Sequence, residues 1–497
     1  MRPVNELTLY RYRHLIGYAL LVLATVGLLL LFITKIPAGL SKGEEASALA
    51  SSQIVFDKNF LDHTHTIDLP YHLAQWGSLK LFGLGAMGVR LPSLIFGAFS
   101  MLFILLLLRR WLQENVAISW GILVATSAWF LALGRMGTPD VMVVFWTSLI
   151  LLLATLVSQQ SKAYQTWKAL IIVAIGLSFY TPLMAYLFAA SALAAVFQPH
   201  LRYVIRYAEK TSISLGILLF IAVLVPLGWN IWRDPSIVRE LLAIPDAIPG
   251  PFLFFRDLWS AAGTVINPFK PQIGTFITPL MSIPMIALAT IGLIRTVMDY
   301  HSVRSYVLLL WLAVLTPVVG LNPTHLNVVF VPLMLLGAIG MQSLFRYWYD
   351  LFPRNPYARV FGLLPILLLM ASIVGLNYQS YFTGVSYAQP TATIYNQDPL
   401  LLHDTLAAKA YRDQRIVLIT TPERKPLYQI DQAIAKNLTI ITPSNFAGAQ
   451  TANNIILDVS AESQLTIAQR ALLPVVPSRL LVSDHKDDAL RFRIYRQ

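Results

Sequence analysis

The sequence predicts a multi-pass α-helical membrane protein of about eleven transmembrane helices, followed by a small C-terminal soluble α/β domain. Hydrophobic residues make up 56% of the 497 positions, charged residues only 12%, and the mean hydropathy is +0.62, whereas a soluble domain carries about 25% charged residues. A single soluble core of this size is also excluded, because such cores stop growing beyond about 250–300 residues. Finally, long apolar segments recur up to residue 378 and then give way to strand-length runs.

Charge and residue types exclude several classes of function. Lys plus Arg number 37 and Asp plus Glu 25, a net charge of +12. In a membrane protein this excess indicates basic cytoplasmic loops rather than nucleic-acid binding. The absence of cysteine excludes thiol catalysis, Cys-ligated zinc and disulfides. The first apolar run is too long for the core of a cleavable signal peptide, so we expect it to stay as a span.

Eleven segments have the length and apolar content of a membrane span or come close to it. Every second loop between them is basic, which predicts a cytoplasmic N-terminus and an extracytoplasmic C-terminus. The segments are 14–34, 89–108, 115–133, 141–158, 168–181, 183–198, 212–232, 276–296, 304–321, 326–345 and 358–378.

The predicted boundary between the two domains lies near residue 386. Residues 1–385 form the transmembrane domain, with long outside loops at about 35–88 and 233–275, where aromatic residues favour short helices at the membrane interface. In 386–497 short apolar runs alternate with helix-like segments, which favours an extracytoplasmic α/β domain. It has no glycine pattern for phosphate or dinucleotides, and an accessory, stabilising role is its simplest interpretation.

Two acidic motifs are candidates for chemistry. Glu44 and Glu45 follow the first span, and either could be a solvated loop acid or a general base whose pKa is raised by burial. Asp140 lies with Arg135 in a short outside loop, directly before a predicted span. There the helix dipole stabilises a negative charge, which a purely structural acid would also exploit.

Histidines and cations supply further candidates. His63, His65 and Asp68 could be metal ligands, but their spacing matches no closed metal site, and a polar loop explains them adequately. His325 could bind an anionic head group or simply lie at the interface. The other outside loop adds candidates for phosphate binding, since cations pair with phosphate oxygens; they are Arg233, Arg239, Arg256 and Lys270.

Taken in order, these motifs resemble one family, the GT-C-fold, polyprenyl-phosphate-dependent glycosyltransferases. The chain is similar to protein O-mannosyltransferases (glycosyltransferase family 39) and to the bacterial aminoarabinose transferases that modify lipid A. The motifs that carry the resemblance are GLSKGEEA at 39–46, LPYH at 69–72, LFGLGAMGVRLPS at 81–93, GR…PD at 134–140 and PTHLNVVFVP at 323–332. The lipid A enzymes have Glu-Lys-Pro-Pro where this chain has Asp68–Leu69–Pro70, so aminoarabinose transfer to lipid A is in doubt.

The resemblance implies an inverting transfer of a sugar from a polyprenyl-phosphate donor to a lipid, glycan or protein acceptor at the extracytoplasmic face. Glu44 would deprotonate the acceptor, with Glu45 sharing or taking that role and Asp140 orienting the acceptor. The binding candidates are Arg135, Asp68, His72, His325, Arg256 and Lys270. No cofactor is required, and assistance by a divalent cation, Mg²⁺ or Mn²⁺, stays open.

Three other classes of protein compete with this interpretation. A transporter or lipid flippase would place ionisable residues at the membrane midplane, often in internal repeats, whereas the acids here lie at helix ends and no repeat is evident. A polymerase or ligase of lipid-linked glycans would share the outward-facing site. A structural scaffold leaves the two acidic motifs unexplained.

Overall fold

The computed structural model describes residues 12–54, 67–159, 164–199, 210–245, 247, 249–266, 279–351, 356–387, 394–408, 411, 414–446, 452–482 and 489–496. Its first and larger part is helical. The helices are α1 (Arg13–Leu30), α2 (Lys42–Ser52), α3 (Leu69–Phe82), α4 (Ala86–Trp111), α5 (Glu114–Thr126), α6 (Ala128–Arg135), α7 (Val141–Ser158), α8 (Tyr164–Ser178), α9 (Met184–Phe197), α10 (Lys210–Arg233), α11 (Ser236–Leu241), α12 (Pro251–Ile266), α13 (Ile283–Met298), α14 (Val303–Leu321), α15 (Phe330–Leu351), α16 (Pro356–Tyr378) and α17 (Gly384–Tyr387).

The multi-pass character predicted from the sequence is confirmed. Among the described residues, six helices are long and apolar enough to cross a membrane. The pair α5 and α6, bent by 62° at Ser127, makes a seventh if it forms one span. Four further apolar helices have only 10–17 residues. Each of the eleven predicted segments overlaps a helix or this bent pair.

The helices enclose a packed core that lies mainly between α4, α5, α7, α14 and α15. Its large side chains include Trp120, Trp311 and Phe330, each at most 1% exposed. Helices α13 and α15 approach so closely that a Cβ added at Gly340 would lie 1.9 Å from the Leu288 carbonyl oxygen. Small residues allow such backbone contact, which dispersion forces then stabilise inside a membrane.

Residues 395–496 form strands and short helices, described over 394–408, 411, 414–446, 452–482 and 489–496. The strands are β1 (Leu40–Ser41) in the first part of the chain, then β2 (Tyr395–Asn396), β3 (Ile416–Ile419), β4 (Leu438–Ile441), β5 (Asn454–Asp458), β6 (Arg479–Val482) and β7 (Leu490–Arg496). The helices are α18 (Asp398–Ala407), α19 (Lys425–Gln432), α20 (Val459–Glu462) and α21 (Ile467–Ala471).

Five of these strands make one mixed sheet in the order β4-β3-β5-β7-β6. Strands β3, β4 and β5 are parallel, with Ile416 opposite Leu438 and Asn454, and β7 runs antiparallel to β5 and β6. The parallel strands are buried almost throughout, as expected for strands covered on both faces.

Several contacts among the described residues hold this C-terminal unit to the helical part. The short strands β1 and β2 pair antiparallel, with Leu40 opposite Asn396. The turn between α3 and α4 forms a second contact, where the Leu84 backbone N–H donates to Asp431 Oδ1 over 2.8 Å. His403 Nδ1 lies 2.9 Å from the same oxygen. The C-terminal unit therefore rests on the segments that carry the acidic motifs.

Candidate functional site

Helix α2 begins in a capping box that fixes the first acidic motif. The Glu44 backbone N–H donates to Ser41 Oγ over 3.2 Å, and Glu44 Oε2 accepts from the Ser41 backbone N–H over 2.8 Å. Such reciprocal bonds satisfy two of the donors that a helix start leaves unpaired. The capping role directs the Glu44 side chain back to the start of the helix and into the protein.

Glu44 is held there by Arg90, and neither side chain has any exposed surface. Arg90 Nε lies 2.8 Å from Glu44 Oε1, and the Gly137 backbone N–H donates to that oxygen over 2.9 Å. The Arg90 guanidinium also donates to the carbonyl oxygens of Ile33, Pro37 and Gly39. Glu44 thus joins α2, α4 and the loop before α7 in one buried ion pair.

Asp140 lies at the start of α7 and keeps part of its surface exposed. Thr138 Oγ1 donates to its Oδ2 over 2.8 Å and Asn327 Nδ2 to its Oδ1 over 3.0 Å. Burial raises the pKa of Asp140, while the bonds from Thr138 and Asn327 and the nearby His325 act against that rise. Each carboxylate oxygen thus has one neutral donor and can still accept a proton.

Asp68 is the second acid at this place, and it interacts electrostatically with Asp140. It precedes α3 in the left-handed conformation, with φ 53°, and its backbone N–H donates to the Tyr180 carbonyl oxygen. The side chain is 5% exposed, and Oδ1 has no hydrogen-bond partner among the described atoms. Burial raises the pKa of Asp68 well above its ordinary value. Asp68, Asp140, His325 and Asn327, called the acid cluster below, thus come from distant parts of the chain.

Glu45 points away from Glu44 and toward the C-terminal unit. Its Oε1 accepts from Asn396 Nδ2 over 2.9 Å, and it interacts electrostatically with Arg424 and Asp398. Burial raises the pKa of Glu45, and the hydrogen bond from Asn396 opposes the rise. The two adjacent glutamates therefore have different surroundings. Glu44 is buried in an ion pair with Arg90, and Glu45 lies at the contact between the two parts of the chain.

Comparison with known proteins shows what this arrangement is similar to. Residues 69–229, which begin directly after Asp68 and include Asp140, match the sequence model of a family described as dolichyl-phosphate-mannose-protein mannosyltransferase. The structure of ArnT from Cupriavidus metallidurans in the apo state superposes with a TM-score of 0.54 at 13% identity, over 96% of this chain and 97% of that one. This solved structure shows that the chain has the GT-C fold.

Two further solved structures share the fold. ArnT from Cupriavidus metallidurans bound to undecaprenyl phosphate gives a TM-score of 0.52 at 13% identity, over 97% of this chain and 98% of that one. The apo oligosaccharyltransferase of Archaeoglobus fulgidus gives 0.50 at 15% identity, over 90% and 70% of the two chains. A search of curated proteins finds no match. The GT-C fold that the sequence motifs implied is confirmed.

Other predicted binding residues lie outside the acid cluster. Arg135 is fully buried and donates to the carbonyl oxygens of Leu28 and Ile36, with its guanidinium over the Tyr381 ring. His72 Nδ1 lies 2.8 Å from Ser51 Oγ, which ties α3 to α2.

The cations of the second outside loop have different placements. Arg256 lies on α12, which packs beside the 3₁₀ helix Pro323–Val329 that carries His325. Its guanidinium bonds to the neighbouring Asp257. Lys270 lies outside the described residues, as do the predicted metal candidates His63 and His65. Within the described part of the chain, no group of three His, Asp or Glu is placed to hold a metal ion.

Sequence reasoning missed three residues that shape the site. Arg90 was quoted only as part of VRLPS, yet it neutralises Glu44. Thr138 and Asn327, which hold Asp140, each lie inside or beside a motif that was recognised, but neither has a charge that would mark it. The available signal was a polar residue shortly before an apolar helix, as Thr138 is before α7 and Asn327 before α15.

Proposed function

We propose that the protein is a glycosyltransferase that moves a sugar from a polyprenyl-phosphate donor to an acceptor at the extracytoplasmic face, with inversion at the anomeric carbon. The observation that carries the proposal is the acid cluster, in which a partly exposed carboxylate, Asp140, lies beside a buried acid and a histidine. Two likenesses support the lipid donor: the matching family is described by a dolichyl-phosphate sugar, and one ArnT structure is bound to undecaprenyl phosphate.

The geometry favours Asp140 as the proton acceptor. An acceptor hydroxyl or amine would give its proton to Asp140 while its oxygen or nitrogen forms the bond to the anomeric carbon. The bond from that carbon to the phosphate oxygen breaks, and the electron pair leaves with the lipid phosphate. A carboxylate whose pKa is raised toward neutrality is a better base than an ordinary aspartate, and burial raises the pKa of Asp140.

The lipid phosphate leaves with a negative charge that nearby cations would stabilise. His325, a member of the acid cluster that interacts electrostatically with Asp140, can carry a positive charge there. Arg256 is proposed as a further partner, because its helix α12 packs against the 3₁₀ helix that holds His325. Lys270, which follows α12 in the sequence, is proposed with it. Such preorganised cations stabilise the charge that develops in the transition state.

The first acidic motif supports this site in two ways. Glu44 accepts from Arg90 and from two backbone N–H groups, one of them at Gly137. We propose that it positions the turn leading to Asp140 rather than taking the proton itself. Glu45 faces the C-terminal unit, so we propose that it contacts the acceptor, with His72 and Arg135 bracing the helices behind it.

The proposed topology has eleven spans, because the six long helices, the bent pair and the four shorter apolar helices together make eleven apolar units. The N-terminus would be cytoplasmic and the C-terminal α/β domain extracytoplasmic, in the inner membrane of a bacterial cell. The acid cluster then lies outside, while Arg109, Arg295 and Arg346 at the opposite helix ends face the cytoplasm, as the positive-inside rule expects.

Transfer by the purified chain in nanodiscs, supplied with a panel of polyprenyl-phosphate sugars, tests the proposal. Asp140→Asn keeps the shape of the side chain and its bond to Asn327, so the chain folds and transfer falls at least about 100-fold. Asp299→Asn, at an exposed acid near the cytoplasmic helix ends, is the matched control and keeps full activity. Wild-type protein that neither binds nor consumes any donor would overturn the function, and an active Asp140→Asn would overturn the base.

A further inference from the structure

A large apolar groove lies on the side of the molecule, far from the acid cluster. Its volume is about 910 Å³, and it runs between α4, α7 and α8. Several of its lining side chains are open to the surroundings, among them Leu106 at 37% and Leu170 at 45% exposure. A groove of this kind in a membrane protein opens toward lipid rather than toward water.

The groove belongs to the membrane face opposite the site. Arg90, at the start of α4, reaches Glu44, whereas Arg109 and Arg110, at the end of α4, line the groove. The 19 residues from Arg90 to Arg109 make a helix of about 28 Å at a rise of about 1.5 Å per residue. This length almost equals the hydrocarbon thickness of a bilayer, about 30 Å.

The length of the groove fits one leaflet. On α7 it extends from Phe145 to Leu156, which corresponds to about 16 Å along the helix. One leaflet has about 15 Å of hydrocarbon. An acyl chain of a phospholipid fills such a length, whereas a polyprenyl chain anchored at the acid cluster would start from the other face.

The polar end of the groove is cationic. Arg110 is exposed, and its Nη1 makes a long hydrogen bond of 3.5 Å to Gln159 Oε1. Arg109 lies over the Tyr18 ring and 3.5 Å from Glu114. Glu114 thus pairs with Arg109, and Arg110 keeps donors for a phosphate group.

A second apolar groove of about 570 Å³ adjoins the first and shares Arg110 with it. It lies on the other side of α7, and Arg304 lines it as well. Arg304 Nη1 donates to the Trp111 carbonyl oxygen, which fixes this cation beside the end of α4. Two grooves that converge on one exposed arginine match the two acyl chains and single phosphate of a diacyl phospholipid.

We propose that these grooves bind one anionic phospholipid of the leaflet opposite the acid cluster, with its phosphate at Arg110 and Arg304 and its two acyl chains on either side of α7. Basic pockets between transmembrane helices recognise anionic head groups in this way. The ligand is a structural lipid, chemically different from the sugar donor. The proposal stands on the grooves and their charges, independently of the transfer reaction.

Native mass spectrometry of the full chain tests this site by titration with phosphatidylglycerol and with phosphatidylcholine of the same acyl chains. Wild type binds one phosphatidylglycerol more tightly than phosphatidylcholine. Arg110→Gln weakens that binding about fivefold, the effect of one basic residue at a membrane surface. Leu170→Trp, at an exposed position, fills the first groove and weakens binding of both lipids. Arg295→Gln, whose cation pairs with Asp299 elsewhere on that face, is the control and changes nothing.

Four outcomes would overturn the proposal. They are equal affinity for both phospholipids in wild type, an unchanged affinity in Arg110→Gln, an equal loss in Arg295→Gln, and displacement of the lipid by millimolar inorganic phosphate. Undecaprenyl phosphate that outcompetes phosphatidylglycerol and depends on Arg110 would assign the grooves to the donor lipid instead. The thermal midpoint of each variant is measured beside the titration, so that a folding defect is not taken for lost binding.

Discussion

Glu44 and Arg90, 46 residues apart, form an ion pair of 2.8 Å in which neither side chain has exposed surface. This pair crosses from α2, after the first span, to the start of α4. It also reaches the loop before Asp140, since the Gly137 backbone N–H donates to Glu44. The acid that the sequence marks as a catalytic candidate is therefore surrounded by donors on every side.

Glu44→Gln tests whether that role is structural. The substitution leaves the Arg90 charge buried without its partner, and breaking a buried pair in this way costs about 3–5 kcal/mol. We expect a clearly lowered thermal midpoint and little folded protein. Glu45→Gln, at the adjacent and partly exposed position, is the matched control with a small effect on stability. A Glu44→Gln protein with wild-type stability and no transfer would instead identify Glu44 as the base.

The pH dependence of transfer reports on Asp140. Burial raises its pKa, and a general base acts in its deprotonated form, so the rate should rise with pH through a pKa above that of an ordinary aspartate. Asn327→Leu removes a bond that stabilises the carboxylate, which raises the pKa further and moves this limb to higher pH. The measurement is kcat/KM against pH for both proteins. If the rise of kcat/KM occurs at the same pH in Asn327→Leu as in wild type, the group that titrates is not Asp140.

The features of this site that the sequence predicts are those whose residues lie close together along the chain. The acidic motif, GR…PD and the eleven apolar segments are local patterns, and each was recognised from spacing and residue type. The different surroundings of Glu44 and Glu45 were not, because they depend on the capping box and on Arg90, far along the chain. Likewise Asn327 holds Asp140 across 187 residues, and a neutral amide has no local pattern that reveals such a contact.

The contact between the two parts of the chain should depend on pH through His403. Burial lowers the pKa of His403, but its hydrogen bond to Asp431 and the charge of Asp431 outweigh this, so the pKa is raised overall. The added stability is fully present below the unfolded pKa, about 6.5, and is lost as pH rises through the folded value. Thermal midpoints should therefore decline across that window in wild type. His403→Gln should remove this decline, and an unchanged profile in the variant would contradict the assignment.

Gly39 tests the strand pairing that joins the acidic motif to the C-terminal unit. Its φ is +99°, and an added Cβ would lie 2.7 Å from the Asn396 carbonyl oxygen. Gly39→Ala should therefore open the β1–β2 pair and destabilise the chain by about 1–3 kcal/mol. Gly228→Ala, which meets nothing within 4 Å, is the control. Equal thermal midpoints for the two variants would show that this pairing contributes nothing.

Arg424 connects the carboxyl ends of the parallel strands to the acidic motif. The effect of Arg424→Gln on activity can be separated from its effect on stability. It lies 2.7 Å from Asp398 and 3.5 Å from Asp458, both almost fully buried, and interacts with Glu45. Arg424→Gln should cost about 2 kcal/mol, less than a fully buried pair because its side chain is 35% exposed and screened.

A second substitution, Asp398→Asn, distinguishes activity that is lost through instability from activity that is lost because Arg424 no longer acts on Glu45. Asp398→Asn beside Arg424→Gln removes a buried charge that would keep only its 3.6 Å contact with Arg491, so the double variant should recover part of the stability that the single variant lost. If Arg424 also acts on Glu45, transfer stays low in the double variant although the fold is restored. The lower rate should then come from a raised KM for the acceptor. Arg493→Gln, which breaks a pair with Glu462 elsewhere in the sheet, controls for nonspecific effects. Full activity in the double variant would confine Arg424 to folding, because Glu45 would then work without its cation.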